Sequence, residues 1–105
     1  MSPQVEERIR KIGERIKKEY RADQVILFGS YARGDATEDS DIDLFIVAPT
    51  KERFFQRMAT VRRLIRDLRN GFPIAPIVLT ATELEKRREA EDPFIEEVLA
   101  TGISL

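Results

Sequence analysis

The sequence predicts a single α/β domain in which short buried strands alternate with amphipathic helices. Three observations carry this expectation. Val5, Ile9, Ile12 and Ile16 recur at helical spacing among charged neighbours. Two short apolar runs, Val25-Ile26-Leu27-Phe28 and Ile42-Asp43-Leu44-Phe45-Ile46-Val47, are closed by Gly29 and by Pro49, as buried strands are. After the second run, Phe54, Met58, Val61, Ile65 and Leu68 step by four and three, which is helical spacing again.

In chain order, the first helix is expected over about residues 3–20, with Pro3 suited to its first turn. The two strands follow, joined by a polar, glycine-containing segment from Gly29 to Asp39 with room for one helical turn. The second helix is expected from about Thr50 to Arg69, Phe55 and Leu64 widening its apolar face and Asn70-Gly71 ending it. Ile74 to Leu79 is apolar and β-branched, a third strand that Pro73 and Pro76 push toward a sheet edge. Thr80 with Glu83 has capping-box spacing and opens a charged helix; Asp92-Pro93 opens another that closes near Gly102. The order is α-β-loop-β-α-β-α-α, with no repeat, no low-complexity stretch and no linker.

Composition narrows the chemistry. The 105 residues, 42% hydrophobic, suit one core of modest size, so residues 1–105 are expected to form one domain. No apolar run approaches the roughly 20 residues of a membrane-spanning helix. The N-terminus lacks the apolar core and cleavage site of a secretory signal, so a cytoplasmic protein is expected. With no cysteine and no histidine, disulfides, thiol nucleophiles, thiolate zinc sites and imidazole bases are all excluded. A bound metal would therefore rest on oxygen ligands, a set that suits magnesium, manganese or calcium.

The chemistry concentrates between residues 29 and 47. Gly29-Ser30 follows a buried strand directly, so backbone N–H groups and the Ser30 hydroxyl can approach a phosphate closely if a short helix starts there. Asp41 and Asp43, two apart on a strand, point to one face of the sheet and can share one or two hard cations. A carboxylate between Ile42 and Leu44 needs a compensating partner, and a magnesium ion is the simplest. Arg33 either steadies a phosphate or pins the loop to Asp35 or Asp39. Separately, a Gly-Ser pair is an ordinary turn and Asp-x-Asp a solvated edge; together they describe one nucleotide site.

Gly29-Ser30, ten residues, then Asp41-x-Asp43 resembles the signature of the nucleotidyltransferases related to DNA polymerase beta. With Ala32-Arg33-Gly34, Ser40 and the ending from Asp92 to Gly102, the chain is similar to their minimal branch, the MntA-like antitoxins. These are small prokaryotic proteins commonly paired with an all-helical HEPN partner in toxin–antitoxin systems. The resemblance implies a nucleotidyltransferase fold: a small mixed β-sheet with helices packed on one face, in the order α-β-β-α-β-α-α. It also implies Gly29 and Ser30 on the triphosphate, with Asp41 and Asp43 as catalytic ligands of Mg2+. The implied reaction moves a nucleoside monophosphate, AMP from ATP, onto a hydroxyl of a HEPN-type partner and releases pyrophosphate.

One departure from that family pattern stands out. A third carboxylate belongs on the next strand, facing the first two, and Ala75 occupies its place. Glu83 and Glu85 lie beyond the strand and are not expected to reach the site. This leaves two readings, a magnesium-dependent enzyme and a nucleotide-binding antitoxin that acts by occupying its partner's surface. Lys51, Arg53, Arg57, Arg62, Arg63, Arg66 and Arg69 load one helix with cations, read here as a solvated face. Nucleic acid is not an expected partner, since no aromatic residue is expected to interleave the outward positions of that helix.

Overall fold

The chain starts its first helix where a cap permits it. In the computed structural model, which describes residues 1–105, the Ser2 hydroxyl accepts the Val5 N–H at 3.2 Å and Pro3 fills the first turn. α1 (Pro3–Glu19) then buries Ile9, Ile12 and Ile16 on one stripe. β1 (Gln24–Phe28) and β2 (Ile42–Val47) run antiparallel, Ile26 opposite Phe45 and Phe28 opposite Asp43. The connection contains α2 (Ser30–Arg33), the single helical turn for which the polar segment leaves room.

β3 (Ile74–Leu79) joins β2 in parallel, Ala75 beside Asp43 and Pro76 beside Leu44. The sheet order β3-β2-β1-β4 puts β3 at an edge, where a proline without an N–H is tolerated. The other edge is β4 (Ile103–Ser104), paired antiparallel with β1. Two residues carry no periodicity, and the sequence reading contains no such strand.

The sheet is covered on both faces, which corrects the expectation of helices on one face. Val25, Leu27, Ile42, Leu44 and Ile46 meet α1 together with Val61 and Ile65 of the second helical segment. Ile26, Phe45, Val47 and Leu79 meet Ile95 and Val98 of α6 (Pro93–Thr101) on the other side. The reason is in β2 itself: both of its alternating sets are apolar beyond Asp43, so neither face can be left to water. The order α-β-β-α-β-α-α is accordingly expanded by α2, by a divided helix and by β4.

The helix expected over about 50–69 begins later and is divided. α3 (Phe54–Leu64) ends at Ile65, whose φ of −112° leaves the helical range, and α4 (Arg66–Arg69) resumes for one turn. Asn70 and Gly71, with φ of 46° and 83°, then reverse the chain into β3. Phe55 does not widen the apolar face: it is 80% exposed. Arg57, grouped by its sequence context with solvated cations, is buried. Its guanidinium donates to the carbonyls of Glu52 (2.9 Å) and Val78 (3.1 Å) and to both Glu83 carboxylate oxygens (2.6 and 3.2 Å).

Glu83 also closes the expected capping box at the start of α5 (Ala81–Glu89). It accepts the Thr80 N–H at 2.8 Å while Thr80 Oγ1 accepts the Glu83 N–H at 3.2 Å. The Arg57 guanidinium, with these caps, holds the Glu83 carboxyl down at about 2. No buried side-chain polar atom lacks a partner, and no helix is long and apolar enough to cross a membrane.

Candidate active site

The loop that begins at Gly29 and the carboxylate pair meet at one end of the sheet. β1 delivers Gly29 at its end and β2 begins with Ile42, so antiparallel pairing sets Phe28 across from Asp43. Asp41 precedes that strand and is exposed, while Asp43 is half-buried. Ala75, the register partner of Asp43 on β3, lies on the same face as Asp43. The position where the family pattern has a third acid thus carries a methyl group, and no three acidic residues converge anywhere in the chain. Glu83 is committed to Arg57 at the opposite end of the sheet.

Gly29 is required at its position. It has φ 75° and ψ −153°, a region open essentially only to glycine, and a Cβ added there would overlap Asp43 Oδ2 and lie 3.1 Å from its Cγ. The backbone of the loop therefore rests against a carboxylate. α2 is held by the Arg33 N–H to Gly29 O bond and the Gly34 N–H to Ser30 O bond, both 3.0 Å. The first N–H groups of such a turn have no intrahelical acceptor.

The electrostatics fit a cation and an anion side by side. Burial raises the Asp43 carboxyl above its usual range, the Asp41 charge raises it further, and Arg33 partly offsets both. Arg33 thus exerts its field on Asp43 while its Nε lies 3.4 Å from Asp35 Oδ2, the contact that pins the loop. A carboxylate whose ionisation is disfavoured, with a second one two residues away, would suit one divalent ion, and with Ala75 in place of an acid the two would not complete a second ion's ligand set.

A cleft beside Gly29, about 160 Å³, is walled by Phe28, Arg33, Phe94, Glu97 and Thr101. Phe28 and Phe94 meet edge to face at 5.5 Å, which fixes α6 against the end of β1. The sequence reading contains no role for this wall. Phe94, Glu97, Val98 and Thr101 do lie on one helical stripe, but only the long-range return of the chain places that stripe beside Gly29. A roomier surface hollow, about 580 Å³, lies elsewhere among Lys11, Glu14, Arg15, Lys18 and Glu19. Arg15 there is already paired with Glu19 and Asp67, which leaves no comparable chemistry.

The match to known proteins follows the same geometry. Residues 9–100 match the family described as "Nucleotidyltransferase domain", and the chain belongs to that family. A "Putative protein adenylyltransferase MJ0141" of Methanocaldococcus jannaschii is 33% identical over 86 residues, 81% of this chain and 80% of that protein. A second protein of that organism, "Putative protein adenylyltransferase MJ0604", is 52% identical over a shorter stretch, 40% of this chain and 44% of that protein.

Among solved structures, a "putative nucleotidyltransferase" from Sulfolobus solfataricus superposes with a TM-score of 0.53 at 32% identity, over 82% of this chain and 81% of that one. The toxin–antitoxin complex MntA–HpeT superposes with a TM-score of 0.59 at 24% identity, over 95% of this chain and 70% of that one, a likeness of fold.

Proposed function

We propose that this chain is a magnesium-dependent nucleotidyltransferase that moves AMP from ATP to a hydroxyl on a protein, with a HEPN-type toxin as acceptor. The observation that carries the proposal is the contact between loop and acid: glycine backbone at residue 29 lies directly against Asp43, so triphosphate and metal would share one site. Gly29, Ser30 and Arg33 would take the phosphates, and Asp41 with Asp43 would hold Mg2+. A bound magnesium ion supplies charge neutralisation at the α-phosphate and the leaving pyrophosphate. The relatives named as protein adenylyltransferases support a protein acceptor, and the MntA–HpeT likeness supports an antitoxin setting.

Ala75 favours a second reading, in which the chain binds nucleotide and partner without turnover. No acid stands on β3 beside Asp43 to accept the hydroxyl proton. Incubation with α-labelled ATP, magnesium and the co-encoded neighbour protein separates the two. Label and mass of a nucleoside monophosphate on the neighbour are expected. A tight complex without transfer would establish the second reading instead, and transfer undiminished by Asp41→Asn with Asp43→Asn would refute the proposed site.

A further inference from the structure

The helical layer over β3 carries a feature that the nucleotide site does not use. Phe54 and Phe55 open α3 with their rings edge to face, centroids 5.6 Å apart, and belong to neither hydrophobic cluster. Phe55 is the most exposed large hydrophobic residue of the chain, and Phe54 is 37% exposed. A chain that satisfies every buried polar side chain and covers both sheet faces nevertheless leaves an aromatic pair in water.

The surroundings of that pair have one sign. Phe55, Ala59 and Arg62 recur at i, i+4 and i+7 along the outer stripe of α3, and Arg66 and Arg69 extend it onto α4. Arg53 flanks the pair at the start of the helix. None of Arg53, Arg62, Arg66 and Arg69 is within ion-pair distance of a carboxylate. The two acids of the segment are engaged elsewhere, Glu52 by Tyr20 and Thr60 and Asp67 by Arg15.

We infer that the outer face of α3 and α4 is a protein-docking surface, with Phe55 as anchor and the arginines as rim, for a partner that offers an apolar pocket ringed by carboxylates. An aromatic anchor inside an arginine rim is the composition of the energetically dominant part of protein interfaces. Single-stranded nucleic acid fits less well: the two rings stand 80° apart, so they cannot present parallel faces to successive bases, and no further aromatic residue follows along the stripe. The surface also has a useful orientation. α3 starts at the Val47–Leu79 end of the sheet, and α4 leads through Asn70 and Gly71 to the strand that sets Ala75 beside Asp43. The ridge covers the face of the sheet opposite Asp43 and finishes at the end of the sheet where Asp43 and Ala75 stand.

The test uses fluorescence anisotropy without nucleotide, so its result is independent of the transferase reading. The probes are a labelled helical peptide with leucines on one face and glutamates on its borders, labelled polyglutamate, and labelled oligouridylate. The amphipathic peptide is expected to bind about tenfold or more tightly than polyglutamate, and Phe55→Ser and the pair Arg62→Glu with Arg66→Glu are each expected to remove about that factor. Melting curves confirm that both variants fold, since all three positions are exposed. Equal binding of polyglutamate and the amphipathic peptide, no dependence on Phe55, or preferential Phe55-dependent binding of oligouridylate would each overturn the inference.

Discussion

Replacing Gly29 by alanine tests the central structural claim, that the loop backbone packs against the Asp43 carboxylate, the proposed metal ligand. Two effects combine in that variant. The backbone at φ 75° and ψ −153° is strained for any L side chain, about 1–3 kcal/mol. The new methyl group would also occupy the space of Asp43 Oδ2, so the carboxylate must rotate away. Gly34→Ala supplies the control: it too has positive φ, 85°, but an added Cβ meets no atom within 4 Å. For a domain of this size about 1 kcal/mol corresponds to roughly 5 °C in melting temperature, so Gly29→Ala is expected to lower it by about 5–15 °C and Gly34→Ala by about 5–10 °C.

The second readout separates the two variants. Saturating a site at a hundred times its dissociation constant stabilises a fold by about 2.7 kcal/mol, roughly a 13 °C rise under the same conversion. Gly34→Ala is expected to keep that rise with magnesium and ATP, and Gly29→Ala to lose most of it. Scanning calorimetry with and without ligand measures both. If Gly29→Ala retained the full ligand-induced rise, the proposed seating of Asp43 against the loop would be wrong.

Other perturbations have equally definite outcomes. Because the folded protein keeps the Asp43 proton to higher pH than the unfolded chain, the contribution of Asp43 favours folding at low pH and is lost as pH rises through its folded value. Asp43→Asn should therefore melt higher than the wild type at neutral pH in chelator and not respond to magnesium; calorimetry across pH would expose a failure as a lower melting point. Ala75→Asp should be less stable in chelator, gain stability with magnesium and transfer faster, because the new carboxylate stands beside Asp43. Unchanged transfer and unchanged metal-dependent melting would remove the missing acid as the explanation for any weak turnover.

Glu83 behaves oppositely to Asp43, since its carboxyl is held at about 2: its stabilisation is present above the unfolded value and lost as pH falls toward the folded one. Glu83→Gln should cost about 1–2 kcal/mol at neutral pH, a reduced figure because the side chain is 42% exposed, and the deficit should vanish in strong acid. Equal deficits at neutral pH and in strong acid would contradict the ion pair.

Local signals were the legible part of this fold. Pro3, Thr80 with Glu83, and Asp92-Pro93 each fix a helix start through geometry or bonds within a few residues, and all three starts stand where expected. Pro73 and Pro76 marked an edge strand because a missing N–H has the same meaning in any sheet. Asp41 and Asp43 declared themselves by expense, two acids leading into an apolar strand. What the sequence hid was long-range. Phe55 and Arg57 exchange the roles that their residue types suggest, because whether a helical position faces β3 or water depends on where the helix begins, and α3 begins at Phe54 rather than near Thr50. The wall formed by Phe94, Glu97 and Thr101 depends on α6 crossing the second face of the sheet, which Phe45 and Val47 foreshadow only once both sides of β2 are counted.

The two halves of the proposed nucleotide site, the loop with its acids and the cleft wall beside it, differ in how far apart their parts lie along the chain. Gly29, Ser30, Arg33, Asp41 and Asp43 belong to a single strand–turn–strand segment, so closing one short loop brings them together. The α6 wall has to return from the far end of the chain and is tied to the sheet through the two-residue β4 pairing. We expect the first half to share the global stability of the sheet and the wall to open in a smaller, separate unit. In native-state hydrogen exchange, amides of β4 and the last turn of α6 should then exchange through openings of lower free energy than those of β1 and β2. A single common opening energy for all four elements would mean that the cleft has no gate of its own.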